Sequence, residues 1–354
     1  MAWIPEERSG LDGEARGDTN NVTSIDKTEL THTNFMWVQL RRRAFHHVPV
    51  LPKETLELWA AHRNSPDKFY VDGTVGLGGH ARLLLEQSSS STQLLCIDRD
   101  PQMLEQAKRG LEAYAGRVHF ELGSYKDIKK ILPRAGFPAH VDGILVDLGV
   151  NSHHLDAGER GFSIYHDGPL DMRFDQSAAI PTAADLVNSL SEVELIKIFT
   201  RYGDEPLGKE YAKAIIRRRE ATAFERTDEL KRCVEAIADK WKKKKQGSGK
   251  SIHPATRVFQ ALRIAVNHEL DHLEMALPAF IDSLAVDGQL ATIAFHSLED
   301  RWIKRFFRDA IDEEDEPEFA LVQRKAIQAT DEQNQVNPRG RSAKLRAIRR
   351  IRHQ

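Results

Sequence analysis

The stretch Tyr70-Val-Asp-Gly-Thr-Val-Gly-Leu-Gly-Gly-His80 reads as a short buried strand, Phe69 to Val71, entering a glycine-rich turn, with a helix opening near Ala81. Glycines let backbone approach a ligand where side chains would block it, and the helix N-terminus behind them offers unpaired N–H groups. On spacing, Gly76, Gly78 and Ala81 satisfy G-x-G-x-x-A, the dinucleotide fingerprint. Asp72 argues against a dinucleotide. It ends the strand just before the turn, where a carboxylate repels a pyrophosphate but can hold an ammonium.

Thr74 stands where a turn of the form D-x-G-x-G-x-G, common around methyl donors, has its first glycine, and Gly76 and Gly78 fill the other two places. A cationic ligand without phosphates, such as S-adenosylmethionine, therefore suits the turn better than NAD. The competing reading is a tight strand–helix turn that binds nothing.

Downstream, Gln93 to Ile97 is a second strand ending in Asp98-Arg-Asp-Pro101, where an acidic N-cap and a proline at the first position start a helix. Asp98 falls roughly twenty residues past the turn, where a carboxylate takes both ribose hydroxyls of a nucleoside. Asp100 is the better helix cap, which leaves Asp98 for the ribose. Val118 to Leu122 is a third strand, closed by Gly123-Ser-Tyr125, and Tyr125 either flanks an adenine ring or only packs. Val141 to Asp147 is the fourth, followed by Leu148-Gly-Val-Asn-Ser152. Alternating strands and helices predict a parallel sheet with right-handed crossovers, whose ligands bind beyond the carboxyl ends of the strands. The glycine turn, Asp98, Tyr125 and Asp147 all fall at such ends.

The next sheet strand, Gln289 to Phe295, comes about 140 residues after Asp147. A crossover needs far fewer, so residues 156–250 are expected to be an inserted helical domain. Residues 41–155 and 251–354 then make up the sheet domain, the second part beginning with His253-Pro-Ala-Thr-Arg257 and one long amphipathic helix to about Leu284. The insert closes with Lys242-Lys-Lys-Lys245 and a Gln-Gly-Ser-Gly249 loop, a lysine run that is solvated surface or a phosphate contact. The end of the chain, Asn337 to Arg352, is strongly basic and reads as an RNA contact or a charged tail.

Composition bounds the rest. With 354 residues, 40% hydrophobic and 29% charged, the chain has the profile of a globular protein of about two domains. The net charge of −2 hides opposed blocks. Cys96 and Cys233 offer neither a disulfide framework nor metal spacing, and no metal site is expected. No apolar run approaches a membrane span, and the first residues are too acidic (Glu6, Glu7, Asp12, Glu14, Asp18) for a transit peptide. Residues 1–40 are polar, aperiodic and read as a disordered tail. The expected address is the cytoplasm.

With these segments in view, the chain resembles the MraW/RsmH methyltransferases, which methylate the exocyclic N4 of a cytidine in small-subunit (16S-type) ribosomal RNA. The matching pieces are His47-Val-Pro-Val, Asp72-Gly-Thr with Gly-Gly-His80, Ile97-Asp-Arg-Asp-Pro, Asp147-Leu-Gly-Val, Glu159-Arg-Gly-Phe-Ser163, Asp167-Gly-Pro-Leu-Asp-Met-Arg173, His253-Pro-Ala-Thr-Arg, Phe295-His-Ser-Leu-Glu-Asp-Arg301, and Asn337-Pro-Arg with Arg-Ser-Ala-Lys-Leu-Arg346. The resemblance implies an α/β, class I S-adenosylmethionine-dependent methyltransferase (Rossmann-like) sheet domain with an inserted helical domain. It implies S-adenosylmethionine as donor and ribosomal RNA, or the assembling small subunit, as partner, with a homodimer left open.

By position, the cofactor contacts would be Gly78, Gly79, His80, Asp98, Tyr125, Asp147 and His154. Asn151-Ser-His-His154 replaces the usual Ser-Ser-Pro-Gln, so His154 stands where a glutamine amide reaches the cofactor. Asp147, with Asn151 or Ser152, is the candidate acceptor pair for the target amine, and His296 is either a base for the product or a structural residue. Arg160, Arg173, Lys242 to Lys245 and Arg257 are candidate RNA backbone contacts. Two other readings are carried: an RNA-binding scaffold with a retained pocket, and a nicotinamide-dependent oxidoreductase.

Overall fold

In the computed structural model of the chain, residues 48–245, 252–312 and 317–352 are described. The proposed tail at 1–40, His47 and the Gln246–Gly249 loop lie outside them.

Seven strands form one sheet: β1 (Phe69–Asp72), β2 (Gln93–Asp98), β3 (Val118–Leu122), β4 (Val141–Asp147), β5 (Leu284–Ala294), β6 (Phe319–Leu321) and β7 (Lys344–Arg350). Their order across the sheet is β3-β2-β1-β4-β5-β7-β6. The first five are parallel, whereas β7 runs antiparallel to both β5 and β6. This is a Rossmann-like α/β sheet, as the alternation of strands and helices predicts.

Strands buried on both faces need largely apolar runs, and the central strands have them in Leu94 to Ile97 and Ile144 to Val146. In β2, Leu95 and Ile97 join one apolar cluster while Leu94 and Cys96 join the other, as a period of two requires. The first face is covered by α4 (Ile128–Arg134), α11 (Glu269–Asp282) and α12 (Ser297–Asp312), through Ile131, Leu277, Phe280 and Phe307. The second is covered by α1 (Pro52–Trp59), α2 (Gly79–Gln87) and α3 (Pro101–Gly110), through Trp59, Leu84 and Leu104. As its sequence suggests, α3 starts on Asp100, whose side chain accepts from the amides of Gln102 and Met103.

Between β4 and β5 run α5 (Ser152–Asp156), α6 (Ala183–Ser189), α7 (Glu192–Gly203), α8 (Gly208–Arg219) and α9 (Thr227–Lys245). A third apolar cluster, which includes the buried Leu195 and Phe199, holds these helices together. It also takes in Val258, Phe259 and Leu262 of α10 (Ala255–Asn267). The expected single helix through Leu284 is thus two. His268 adopts a left-handed conformation (φ 51°), ending α10 and turning the chain into α11. The lysine run belongs to α9, which continues to Lys245.

The basic C-terminus is the larger departure. It supplies β7, and three of its charges are paired within the fold: Lys344 and Arg346 both reach Asp300 at 2.7 Å, and Arg350 lies 3.4 Å from Glu318, while Arg341 and Arg349 are exposed. Among the described residues, no helix is long and apolar enough to cross a membrane.

Candidate active site

The carboxyl ends of β1, β2 and β4 open on one cleft. It is lined by the turn from Gly73 to Leu77 with Gly79 and His80, by Asp98 and Arg99, by Tyr125, and by Asp147 to Asn151 with His154. Phe174 from the helical segment, Glu269 and Leu273 of α11, and Phe295 and Glu299 at the start of α12 complete the wall. Pro49 and Val50 meet Asn337 and Arg339 at its edge, where Asn337 donates to the Val48 carbonyl at 2.8 Å.

Chain geometry explains why these residues converge. Gly78 caps α2 with φ 79° and packs on Leu111, a conformation that costs any residue with a Cβ strain. It shapes the turn without itself lining the cleft. The turn is tied to β2 by a hydrogen bond of 2.8 Å from the Gly76 amide to Asp98 Oδ2, and the Asp100 amide donates to Asp98 Oδ1 at 2.9 Å. Each carboxylate oxygen has a further lone pair for a hydroxyl. The turn is tied to β4 by the Asp147 amide, which donates to Thr74 Oγ1 at 2.7 Å. Thr74 thus does with a hydroxyl what a glycine there could not.

Three carboxylates sit at neighbouring strand ends. Burial, reinforced by Asp98, pushes Asp72 up to about 7. Burial also raises Asp98, to about 6, although backbone amides from Asp100 and Gly76 work against the shift. Asp147 is driven well above the usual carboxylate range by burial, then by Asp72 and Glu299. Its Oδ1 is buried with no hydrogen-bond partner among the described residues, and its Oδ2 lies 3.8 Å from His80 Nε2. A site that crowds carboxylates and leaves one oxygen unpartnered favours a cationic ligand. Asp72 itself is buried and lies beneath the cleft, accepting from the Thr74 amide at 3.2 Å, so its influence on a ligand is through the field and not contact.

The remaining sequence candidates divide. Tyr125 is buried at the cleft wall, its ring centroid 5.8 Å from that of Phe280. Asn151 caps α5 through Oδ1, which accepts from the His154 amide at 3.0 Å, and its Nδ2 lies 2.9 Å from Met103 Sδ. His154 has both ring nitrogens engaged, with the Asn151 amide at 3.3 Å and Asp100 at 2.8 Å. Its polar ring atoms are thus both turned to protein partners. His296 is not in the lining, and its Nε2 lies 3.1 Å from Glu299 Oε1. Glu299 is the group that faces the cleft. Its Oε2 accepts from the Phe295 amide at 2.9 Å and the His296 amide at 3.3 Å, a capping arrangement legible in His296-Ser-Leu-Glu299.

The RNA candidates divide as well. Arg160 is 1% exposed and bound inward, and Arg173 is paired with Asp171 at 2.8 Å, which leaves Arg257 exposed. The side chains of Lys242 to Lys245 lie outside the described residues. Sequence reasoning missed Glu269, Arg263 and Phe174. Arg263 donates to Glu269 Oε1 at 2.7 Å behind the cleft wall, a pairing across a helix break that no local pattern announces.

A model of the MraW methylase family matches residues 44–351. The chain belongs to that family. A relative from Syntrophotalea carbinolica, named ribosomal RNA small subunit methyltransferase H, is 44% identical across 88% of this chain and 100% of its own length. Relatives of the same name from Heliobacterium modesticaldum and Paramagnetospirillum magneticum are 40% and 43% identical, covering 87% and 86% of this chain and 99% and 95% of their own lengths. Family membership accounts for the whole described cleft, since the matched span carries every residue that lines it. A methyl donor bearing hydroxyls, an aromatic base and a positive charge fits that lining: Asp98 presents acceptor oxygens, Tyr125 an aromatic wall, and Asp147 an oxygen with no hydrogen-bond partner among the described residues.

Proposed function

We propose that this chain methylates the exocyclic N4 amine of a cytidine in small-subunit ribosomal RNA, with S-adenosylmethionine as methyl donor. The observation that carries the reading is Asp147: a half-buried carboxylate at the end of β4, whose Oδ1 is buried with no hydrogen-bond partner among the described residues, in a cleft shared with the donor-side residues Asp98 and Tyr125. The name borne by the relatives supplies the substrate class.

A cytosine amine is a poor nucleophile because its lone pair is delocalised into the ring. Acceptor oxygens facing its N–H groups pull that pair out of conjugation; in this reading they are Asp147 and the second lone pair of Asn151 Oδ1, which also accepts from the His154 amide. The bound donor supplies an electrophilic methyl group with a sulfur leaving group. As the new N–C bond forms, the amine proton must leave, and the ionised Asp147 carboxylate beside the amine is its acceptor in this reading. His296 acts behind Glu299, holding that carboxylate at the wall. Alignment of the reacting atoms is worth roughly 7–11 kcal/mol and is the main contribution required of the protein.

Residues 156–250 form the RNA-binding part, contributing Phe174 to the cleft. The target base leaves its stack, or lies in a single-stranded region, to enter. The chain works in the cytoplasm, and a homodimer is tested by light scattering, where a mass of one chain sinks it. Transfer from labelled donor to immature small subunits and to free RNA, followed by nucleoside analysis, tests the activity. N4-methylcytidine supports the reading. Label on any other atom, or on none, overturns it.

A further inference from the structure

Asp100 was expected to do no more than cap α3. Its Oδ1 does cap it, accepting from the Gln102 amide at 2.8 Å and the Met103 amide at 3.4 Å. Its Oδ2 does something else. It lies 2.8 Å from His154 Nε2 and 2.8 Å from Arg160 Nη2, and all three side chains are buried, at 0%, 4% and 1% exposure for Asp100, His154 and Arg160.

Each partner comes from a different part of the chain. Arg160 follows α5 and binds the carbonyls of Phe174 at 2.7 Å and Arg173 at 3.2 Å, so it fixes the segment that lends Phe174 to the cleft. His154 is the third residue of α5, and its Nδ1 accepts from the Asn151 amide at 3.3 Å while Asn151 Oδ1 accepts from the His154 amide at 3.0 Å. The amide must donate, so Nδ1 carries no proton, the proton is on Nε2, and Nε2 donates to Asp100. Asp100 in turn donates its own amide to Asp98 at 2.9 Å.

We propose that Asp100 is a positioning residue of the methyl-transfer site, whose one buried carboxylate, through Arg160 and His154, fixes the turn carrying Asp98, the loop carrying Asn151 and the segment carrying Phe174 relative to one another. The charges agree with the geometry. Burial opposes ionisation of Asp100, but His154 and Arg160 hold it below the usual range, while burial lowers His154 and keeps it neutral. A buried carboxylate with one neutral donor and one guanidinium is balanced, and removing either leaves it short of a partner.

The inference rests on the proposed function for its link to chemistry, but its structural core can be tested apart from it. In the ligand-free full chain, side-chain 15N shifts should show His154 as the neutral Nε2–H tautomer. An Nδ1–H tautomer or an imidazolium overturns the proposal. A variant series follows from the capping arrangement, which ordinarily uses Glu or Gln at the third helical position. In His154→Gln the carbonyl accepts from Asn151 and the amide donates to Asp100, keeping both bonds. In His154→Glu the first bond survives but a carboxylate faces Asp100, and in His154→Leu both are lost.

Expected are donor affinity by calorimetry and single-turnover rate within about threefold of the parent for Gln, and losses of about tenfold or more in both for Glu and Leu. A Glu variant equal to Gln, or a folded Leu variant within twofold of the parent, overturns it. Should Leu fail to fold, the Gln–Glu comparison still decides. A parent chain that methylates no small-subunit RNA sinks the functional reading instead, and leaves the tautomer and calorimetry standing.

Discussion

Asp147 ends an apolar strand, and its Oδ1 is buried with no hydrogen-bond partner among the described residues. If it draws out the amine lone pair or takes the amine proton, its charge matters most in the transition state. Asp147→Asn keeps shape and an acceptor, so the melting temperature should hold while single-turnover transfer at saturating donor and RNA falls by about tenfold or more. A rate within about twofold, under roughly 0.5 kcal/mol, removes Asp147 from the chemistry. Asp98 makes a different case. It is a hub for two backbone amides as well as the ribose candidate. Asp98→Ala should weaken donor binding by about 1.5–3 kcal/mol in calorimetry, as loss of a charged hydrogen bond does. Unchanged affinity would end its ribose role.

Among the elements, β4 and α1 show how closely the layers meet. Gly143 in β4 lies against the Trp59 carbonyl at the end of α1, and a Cβ there would also press on the Tyr70 ring. Neither neighbour is the free end of a flexible chain. Gly143→Ala should therefore cost about 3 kcal/mol or more in denaturant unfolding, at or above the top of the usual overpacking range. Gly116 has open space around its Cβ position, so Gly116→Ala should stay within about 0.5 kcal/mol of the parent. Equal stabilities for the two variants would mean that α1 does not pack on the sheet as described.

Across the molecule, the raised carboxylates set a pH dependence. Asp72 titrates at about 7 and Asp98 at about 6 when folded, against an ordinary 3.8, and Asp147 is raised too. The folded chain therefore holds more protons than the unfolded one between about pH 4 and 7, and these groups make it lose stability as pH rises through that window. Asp100 and Glu299, held low, contribute stability that is lost at the acid end instead. A cationic donor prefers the ionised cluster. Its affinity should rise from pH 5 to pH 8 with proton release, which calorimetry in buffers of differing ionisation heat measures. A flat affinity would detach the carboxylate cluster from donor binding.

The sequence by itself determined the parallel core of the sheet, the glycine turn, and the convergence of Asp98, Tyr125 and Asp147, because each follows from a local pattern of strand, turn and helix start. It also carried the family likeness. Only the tertiary structure decided what the charged residues are for. Arg160 and Arg173, which read as RNA contacts, are held inside by Asp100 and Asp171, and Lys344 and Arg346 meet Asp300 across the packing of β7 and α12. His154, expected at the cofactor, is bound on both nitrogens. A charge has no period that marks its partner. Its role is fixed by which carboxylate the fold brings within reach, often more than forty residues away, and by whether water is left beside it.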